Sequence, residues 1–236
     1  MTVIKQAIVL AGGLGTRLRE KVPDLPKCLA PVAGKPFLSY LIDYYSSKGI
    51  YEFIFAVGYK KDAILDFLKT LPQSMLWQIS VENEPLGTGG AIRKACRLAA
   101  DEQVLVLNGD SYFAIDVNML SVQHAQTDAE CTVALKFIKN ADRYGLVSLN
   151  EESRISSFEE KKPNATGLIN GGVYALSVDV MLIQPYPEKF SFENDYLEKQ
   201  FQNSKIFGQI QEGYFIDIGI SADYERAQIE LPQQLK

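Results

Sequence analysis

Residues 4–18 read IKQAIVLAGGLGTRL, and this stretch decides the fold. The apolar run at residues 7–11 predicts a buried strand, which ends in a glycine-rich turn followed by Arg17. Glycine lets main-chain amides approach an anion because it has no Cβ, and the planar guanidinium of Arg17 matches the oxygens of a phosphate. The stretch therefore predicts a phosphate-binding loop at the end of a buried strand.

The two common glycine-rich phosphate signatures do not fit this loop. A Walker loop requires lysine and then serine or threonine after its last glycine, and a dinucleotide-binding loop requires a third glycine where this chain has Leu18. From the residues alone, an ordinary glycine turn after a first strand stays open as the alternative.

Three segments together resemble the signature of the sugar-1-phosphate nucleotidylyltransferases: LAGGLGTRL at 10–18, the pair Pro26 and Lys27, and PVAGKP at 31–36. Enzymes of this family join a nucleoside triphosphate to a sugar 1-phosphate and release pyrophosphate. The resemblance implies that Arg17 holds the departing pyrophosphate and that Lys27 binds the reacting phosphates. A solvated loop lysine is the alternative for Lys27. The other triphosphate contacts implied in this region are Leu10, Ala11, Gly12, Gly13, Gly15 and Thr16.

Two aspartates far apart in the chain are candidate ligands of one metal ion. Asp110 follows the apolar stretch LVLNG at 105–109, and ligands of open α/β sheets bind beyond the carboxyl ends of the strands. Asp217 lies in YFIDIG at 214–219, which resembles the family's late aspartate motif, with Phe215 where many relatives have tryptophan. Mg²⁺ prefers hard oxygen ligands, and the resemblance implies that Asp110 and Asp217 both bind it. Capping of a turn is the alternative for Asp110.

The segment VENEPLGTGG at 81–90 is similar to the base-binding segment of guanylyltransferases that make GDP-mannose and GDP-heptose. Glu82 can accept hydrogen bonds from the donors of guanine, or it can be an exposed residue at a strand end. The resemblance also implies nucleotide contacts from Gly87, Thr88 and Asn108.

Three later motifs resemble the family's sugar-binding motifs: YG at 144–145, FEEKKP at 158–163 and NGGVY at 170–174. The family usually has one lysine before the proline of the middle motif, whereas this chain has two, so either Lys161 or Lys162 meets the sugar phosphate. We favour Lys161 because it directly follows Glu160. Without the flanking motifs, a solvated face is the simpler interpretation of this charge run. The implied sugar contacts are Gly109, Tyr144, Gly145, Glu160, Lys161, Asn170 and Gly171.

At the level of function, EPLGTGGAI at 84–92 and SFENDYLEK at 191–199 look most like heptose 1-phosphate guanylyltransferases. The resemblance implies transfer of a guanylyl group from GTP to D-glycero-alpha-D-manno-heptose 1-phosphate. Mannose 1-phosphate, and UTP, CTP or dTTP, are the alternative substrates. Two other classes compete: a regulatory relative that only binds nucleotide sugar, which usually lacks the lysine or an aspartate, and a retaining glycosyltransferase, which requires a close aspartate pair.

Apolar runs alternate with amphipathic stretches along the chain. Helices are predicted at 36–48, 62–71, 89–99 and 116–126, and strands at 53–57, 77–81, 104–107 and 131–137. This alternation predicts an α/β fold with a doubly wound, mostly parallel, Rossmann-like sheet flanked by helices. Strands at 145–149, 155–158 and 169–176 predict a small added sheet for the sugar. We expect one nucleotidyltransferase domain over residues 1–236, with 1–127 binding the nucleotide and 128–236 mainly the sugar.

The composition limits the partners. A net charge of −5 argues against a nucleic-acid partner, because binding nucleic acid requires a basic face. The sequence has no run of about 18 apolar residues, so no contact with a membrane is expected. Cys28, Cys96 and Cys131 fit neither a disulfide framework nor a metal site, which predicts reduced thiols in a cytoplasmic protein. The sequence is compatible with a homodimer, and His124 is expected to be structural.

Overall fold

The computed structural model describes residues 3–13, residue 18 and residues 21–234. Within these ranges the strands are β1 (Gln6–Leu10), β2 (Pro31–Val32), β3 (Lys35–Pro36), β4 (Glu52–Val57), β5 (Leu76–Val81), β6 (Gln103–Asn108), β7 (Ser111–Phe113), β8 (Cys131–Ile138), β9 (Leu146–Leu149), β10 (Ile155–Glu159), β11 (Gly167–Ser177), β12 (Ile206–Ile210) and β13 (Phe215–Asp217). The α-helices are α1 (Phe37–Ser47), α2 (Lys61–Leu68), α3 (Gly87–Cys96), α4 (Val117–Gln126), α5 (Val178–Ile183), α6 (Glu198–Gln200) and α7 (Ser221–Glu230). A π-helical turn spans Phe192–Leu197, and 3₁₀ turns span Lys27–Leu29 and Leu231–Gln233.

Nine strands of the described residues form one sheet in the order β10-β9-β11-β6-β1-β4-β5, with β8 paired to β11 and β12 paired to β8. The neighbours β6, β1, β4 and β5 are parallel, and α1, α2 and α3 lie in the connections between them. Alternate residues of β1 face opposite sides of the sheet: Ala7 and Val9 pack in the core that includes α1 and α2, whereas Ile8 packs in the core that includes α3. Helices therefore cover both faces, which confirms the predicted doubly wound α/β fold.

The strands after residue 127 join this same sheet. On one edge, the first half of β11 pairs with β9 and its second half with β6, and β8 pairs along the other edge. All three pairings are antiparallel, and β10 continues the sheet beyond β9. The strands expected to form a small added sheet are therefore continuous with the central sheet, because β11 is long enough to pair with β9 at one end and with β6 at the other.

Two short ladders lie outside the central sheet, β2 with β3 and β7 with β13. In the second ladder Phe215 pairs with Phe113, and Asp217 pairs with Ser111. Sequence pattern did not predict β7 or β13, because a strand of three residues has no measurable periodicity. The predicted helices are present with shifted ends: α2 ends at Leu68 and α3 begins at Gly87.

No helix in the described ranges is long and apolar enough to cross a membrane. Cys28, Cys96 and Cys131 are buried free thiols, and burial raises the pKa of Cys28 and of Cys96 to about 12.

His124 is a buried structural residue of α4. Its ring nitrogens lie 3.0 Å from the hydroxyl of Thr132 and 3.2 Å from the hydroxyl of Ser177, which connects α4 to β8 and β11. Burial lowers the pKa of His124 to about 4, so the ring is neutral in the folded protein at neutral pH.

We predict that His124 makes the fold sensitive to acid. Its folded pKa of about 4 lies below the unfolded value of 6.5, so the unfolded chain takes up the proton first as the pH falls. The stabilising contribution is complete above pH 6.5 and is lost between pH 6.5 and pH 4, by about 3 kcal/mol. Urea unfolding of the wild type and of His124→Gln across this range measures the effect. A difference in unfolding free energy between the two proteins that does not change with pH would contradict it.

Candidate active site

A cavity of about 540 Å³ opens where the carboxyl ends of β1, β4, β5 and β6 meet the start of α3. Parallel strands place these ends at one edge of the sheet, where α/β proteins bind their ligands. The volume lies within the usual range for small-molecule and cofactor sites. The lining residues that the sequence predicted are Leu10, Gly12, Gly13, Glu82, Gly87, Thr88, Asn108, Gly109 and Asp110.

Two of the glycines are required by close approaches of the backbone. The Gly109 N–H donates to the carbonyl of Leu10 at 3.0 Å, and a Cβ on Gly109 would lie 2.5 Å from that carbonyl oxygen. A Cβ on Gly12 would lie 3.0 Å from the amide nitrogen of Gly58 and 3.1 Å from Glu82 Oε1. The ends of β1, β4 and β6 thus converge tightly around the cavity.

Lys27 lies between the two aspartates that the sequence predicted as metal ligands. Its Nζ is 2.7 Å from Asp110 Oδ2 and 3.3 Å from Asp217 Oδ1, and its side chain is only 13% exposed. The pairing of β13 with β7 places Asp217 opposite Ser111, beside Asp110. Burial raises the pKa of Asp217, the nearby Lys27 ammonium opposes that shift, and the Asp110 carboxylate adds to it.

This arrangement fits a hard divalent cation. Asp110 and Asp217 already share one cationic group, the Lys27 ammonium, and both supply carboxylate oxygens. The described residues contain no group of three or more histidine, cysteine or acidic side chains that could hold a metal ion. Such an ion would therefore take its remaining ligands from substrate oxygens and water, as Mg²⁺ commonly does.

Glu82 lies at the carboxyl end of β5 and lines the cavity. Its Oε2 accepts a hydrogen bond from the Leu86 N–H at 3.0 Å, which closes the loop before α3. The side chain is half-buried, and burial raises its pKa. Glu82 is therefore placed in the pocket and is not an exposed strand-end residue, and one of its oxygens is engaged with the loop.

Two polar side chains of the cavity differ in how they are satisfied. The Thr88 hydroxyl donates to Glu193 Oε2 at 2.6 Å and accepts from the Phe192 N–H at 2.9 Å, so it connects α3 to the π-helical turn. Asn108 Oδ1 is buried and has no hydrogen-bond partner among the described residues. An unsatisfied buried acceptor in a cavity is a group that a ligand can complete.

Of the predicted sugar residues, Gly109 lines this cavity, and the others lie outside its lining as far as the structure describes it. Asn170 uses both ends of its amide internally, donating to the Tyr174 hydroxyl at 2.9 Å and accepting from the Gly172 N–H at 2.9 Å. Gly171 packs against the Phe113 ring, where a Cβ would lie 2.4 Å away.

The middle sugar motif follows β10 on the surface. Glu160 and Lys161 are exposed, and Lys162 Nζ pairs with Glu159 Oε2 at 2.8 Å. Lys162 is therefore engaged in an ion pair, whereas the described residues show no ion pair for Lys161.

Tyr144 lies closer to the aspartates. Its ring packs against Phe215 with centroids 6.0 Å apart, and its pKa is raised to about 12 by burial and by the Asp217 carboxylate. Gly145 follows it, and a Cβ there would lie 2.8 Å from the carbonyl oxygen of Glu159.

Ala11, another predicted triphosphate contact, is not among the lining residues of this cavity. Ala11 is buried, and its N–H donates to the carbonyl of Ala56 at 2.9 Å. Gly15, Thr16 and Arg17 fall outside the described residues, so their predicted roles stay predictions.

Sequence reasoning did not single out several lining residues. AVGYK at 56–60 repeats the signal that marked β1 and β6, an apolar strand ended by glycine, and β4 pairs directly with β1. That signal could have predicted that Gly58 and Tyr59 lie beside the glycine loop, but it was not used. The additional lining residues are Ala56, Gly58, Tyr59, Asn83, Glu84, Pro85 and Ala91.

Two similar proteins match nearly the whole chain. It is 44% identical to D-glycero-alpha-D-manno-heptose 1-phosphate guanylyltransferase of Aneurinibacillus thermoaerophilus, over 96% of this chain and 98% of that protein. It is 42% identical to the protein of the same name from Campylobacter jejuni, over 93% of this chain and 96% of that protein.

A solved structure and a family model agree with these relatives. The crystal structure of HddC from Yersinia pseudotuberculosis complexed with GMP-PN matches with a TM-score of 0.86 and 35% identity, over 99% of this chain and 100% of that chain. The nucleotidyl transferase family model matches residues 6–234. The resemblance drawn from the sequence is confirmed, and the chain belongs to the nucleotidyl transferase family.

Proposed function

We propose that this enzyme transfers a guanylyl group from GTP to D-glycero-alpha-D-manno-heptose 1-phosphate, giving GDP-heptose and pyrophosphate. The observation that carries the proposal is the placement of Lys27 between Asp110 and Asp217, next to a cavity of about 540 Å³ that Asp110 lines. Two relatives named for this reaction, similar over almost their whole length, support the identity of both substrates.

In the proposed reaction, an oxygen of the sugar 1-phosphate attacks the α-phosphorus of GTP. A P–O bond forms between these atoms, and the bond from the α-phosphorus to the oxygen that bridges the α- and β-phosphates breaks. Pyrophosphate leaves with that oxygen and its electron pair. Because both reacting phosphates are ionised at neutral pH, no proton has to be removed. The enzyme must reduce the repulsion between the anions and align the attacking and leaving oxygens.

Lys27 is suited to the reacting phosphates. Its ammonium group is held by two carboxylates and is largely shielded from water, so its interaction with an arriving phosphate is weakly screened. The backbone amides of Gly12 and Gly13 face the same cavity and can donate to the triphosphate. We assign Arg17 to the departing pyrophosphate, as the resemblance implies.

Asp110 and Asp217 are proposed to hold Mg²⁺. Their oxygens, completed by phosphate oxygens and water, form the all-oxygen set that this ion prefers. When bound, the ion neutralises part of the phosphate charge. With the two carboxylates shared in this way, the Lys27 ammonium would be held less strongly by them and would be more available to the phosphates.

The two substrates are assigned to different parts of the chain. Guanine is placed against Glu82, whose carboxylate lines the cavity and accepts hydrogen bonds. Residues 1–127 would then hold the nucleotide, and residues 128–236 mainly the sugar, with Tyr144, Glu160 and Lys161 as contacts. We place the reaction in the cytoplasm, a reducing compartment that suits three free thiols.

The first test is pyrophosphate release with each nucleoside triphosphate and each sugar phosphate. We expect GTP to exceed ATP, CTP, UTP and dTTP by about 100-fold in kcat/KM, because a wrong base leaves buried polar groups unpaired. We expect heptose 1-phosphate to exceed mannose 1-phosphate by only about tenfold, because the sugars differ by one hydroxymethylene group. A preference for UTP or dTTP would overturn the base assignment, and mannose 1-phosphate as the better acceptor would overturn the sugar. If no combination of nucleoside triphosphate and sugar phosphate releases pyrophosphate, the chain would instead be a regulatory relative that only binds nucleotide sugar.

A second prediction concerns the paired aspartates. Asp110→Asn and Asp217→Asn should each lower kcat/KM by at least about 100-fold, because each removes charge from the site that is proposed to hold the metal ion. Asp66→Asn is the control, since it removes only the exposed pair with Lys69. Circular dichroism checks that the fold is intact. Activity of Asp110→Asn near the wild-type level at saturating Mg²⁺ would refute the metal assignment.

A third prediction concerns base recognition. Glu82→Gln keeps an oxygen for the Leu86 N–H but presents an amide donor to the donors of guanine. The ratio of kcat/KM for GTP over ATP should fall by about tenfold or more. Glu151→Gln, which changes an exposed carboxylate outside the cavity lining, should leave the ratio within about twofold. An unchanged ratio in Glu82→Gln would place guanine recognition elsewhere.

A further inference from the structure

A buried ion-pair network lies beside the predicted sugar residues. The Asp223 side chain is only 9% exposed although it lies in the first turn of α7. One of its oxygens accepts from Arg143 Nη2, and the other accepts from Arg226 Nη1 at 3.0 Å. Ile220 occupies the N-cap position of α7, so Asp223 is not the cap of this helix.

The two arginines of this network differ in what else they contact. Arg226 also pairs with Glu230 one turn later, so its contacts stay within α7. Arg143 comes from a turn 80 residues earlier in the chain. It therefore anchors that turn to the last helix, whereas Arg226 only stabilises the helix itself.

Arg143 also holds the next residue, Tyr144. Its Nη2 lies 3.2 Å from the Tyr144 hydroxyl, and its guanidinium carbon lies 5.3 Å from the centroid of the Tyr144 ring. Phe215 also packs on the Tyr144 ring, with centroids 6.0 Å apart, and on the Phe113 ring, with centroids 5.5 Å apart. Phe215 precedes Asp217 by two residues in β13, so the Tyr144 ring lies beside the aspartate site.

The backbone of the turn is fixed as well, which leaves the side chain as the variable part. The Tyr144 N–H donates to the carbonyl of Ala141 at 2.8 Å, and the Ala141 N–H donates to the carbonyl of Ala165 at 2.8 Å. With the backbone held, the ring orientation of Tyr144 depends on Arg143 and Phe215. A buried ion pair is weak evidence for stability, so a role in fixing geometry accounts better for a buried Asp223 with two arginines.

We propose that Arg143 and Asp223 are positioning residues for the sugar 1-phosphate: Asp223 holds Arg143, and Arg143 fixes the Tyr144 ring beside Asp217 as a wall of the sugar site. This inference rests on the proposed function, because it takes a sugar phosphate as the second substrate. Neither residue is among the described lining residues of the cavity, so we expect their replacement to leave GTP binding nearly unchanged.

The test compares Arg143→Gln with Arg226→Gln in the full chain. Both variants remove one arginine from Asp223, but only the first releases Tyr144. Arg143→Gln should raise KM for the sugar phosphate by about tenfold and leave KM for GTP within about twofold. Arg226→Gln should leave both KM values within about twofold and lower the melting temperature. Equal KM values for the sugar phosphate in the two variants would overturn the proposal.

A double-mutant cycle separates positioning from a general loss of stability. Tyr144→Ala removes the ring, so adding Arg143→Gln should raise KM for the sugar phosphate no further. Arg143→Lys keeps the charge but loses the planar fork, and it should fall between wild type and Arg143→Gln. Effects of Arg143→Gln and Tyr144→Ala that multiply would overturn the proposal.

Asp223→Asn completes the comparison, and its loss of a buried charge requires a check of folding. If it folds, it should reproduce the KM effect of Arg143→Gln. If it does not fold, the Arg143 variants decide the question, because Arg143 is 42% exposed and tolerates replacement more easily. A wild type that releases no pyrophosphate with any sugar phosphate defeats the proposed function and this inference with it. An active wild type with an unaffected Arg143→Gln defeats this inference alone.

Discussion

The Lys27 ammonium between Asp110 and Asp217 is the interaction on which the rest of the site depends. Two carboxylates at a partly buried edge repel each other, and burial already raises the pKa of Asp217. A shared cation at 2.7 Å and 3.3 Å offsets both effects. The Lys27 charge also allows a site with two acidic groups to accept an anionic substrate. An arriving cation can replace Lys27 at the carboxylates, and an arriving phosphate can replace a carboxylate at Lys27.

The fold places these three charges together through contacts that are distant in sequence. Gly109 approaches the end of β1 closely enough to donate to Leu10, which sets the position of Asp110. The β7–β13 ladder then brings Asp217 alongside, and the Ile218 N–H donates to the Asp110 carbonyl at 3.1 Å. Lys27 begins a 3₁₀ turn whose following residue, Cys28, is buried with its thiol 3.7 Å from the carbonyl oxygen of Ala11. Each charge is therefore fixed by backbone geometry.

The nucleotide cavity and the later half of the chain are joined at α3. Thr88 lines the cavity and donates to Glu193 in the π-helical turn, and π-helical turns are frequent at functional sites. Gly89 allows Phe190 to lie directly on the helix, because a Cβ there would be 2.2 Å from the Phe190 ring. The Phe190 contact gives a physical reason for Gly89 of EPLGTGG, and the hydrogen bond from Thr88 to Glu193 joins that motif to SFENDYLEK, about 100 residues later. A structural change in either motif therefore shifts the other, because the backbones of the two segments pack against each other.

Local pattern in the sequence was sufficient for strand β1 and for Gly12 and Gly13 after it, for Asp110 just after β6 and for the alternation that specifies the parallel sheet. These features depend on residue periodicity and on the backbone freedom of glycine, both of which can be read within about fifteen residues. The family resemblance added Lys27 as a residue for the reacting phosphates and Asp217 as a second metal ligand with Asp110, whereas the ion pairs of Lys27 with both aspartates are seen only in the structure. Only the tertiary structure showed that β11 joins the later strands to the central sheet and that the Asn170 amide is hydrogen-bonded to Tyr174 and Gly172 of its own strand. It also showed that Asp223 is an ion-pair partner of Arg143. Those outcomes depend on pairing between segments far apart in the chain, and no local periodicity records which distant segments meet.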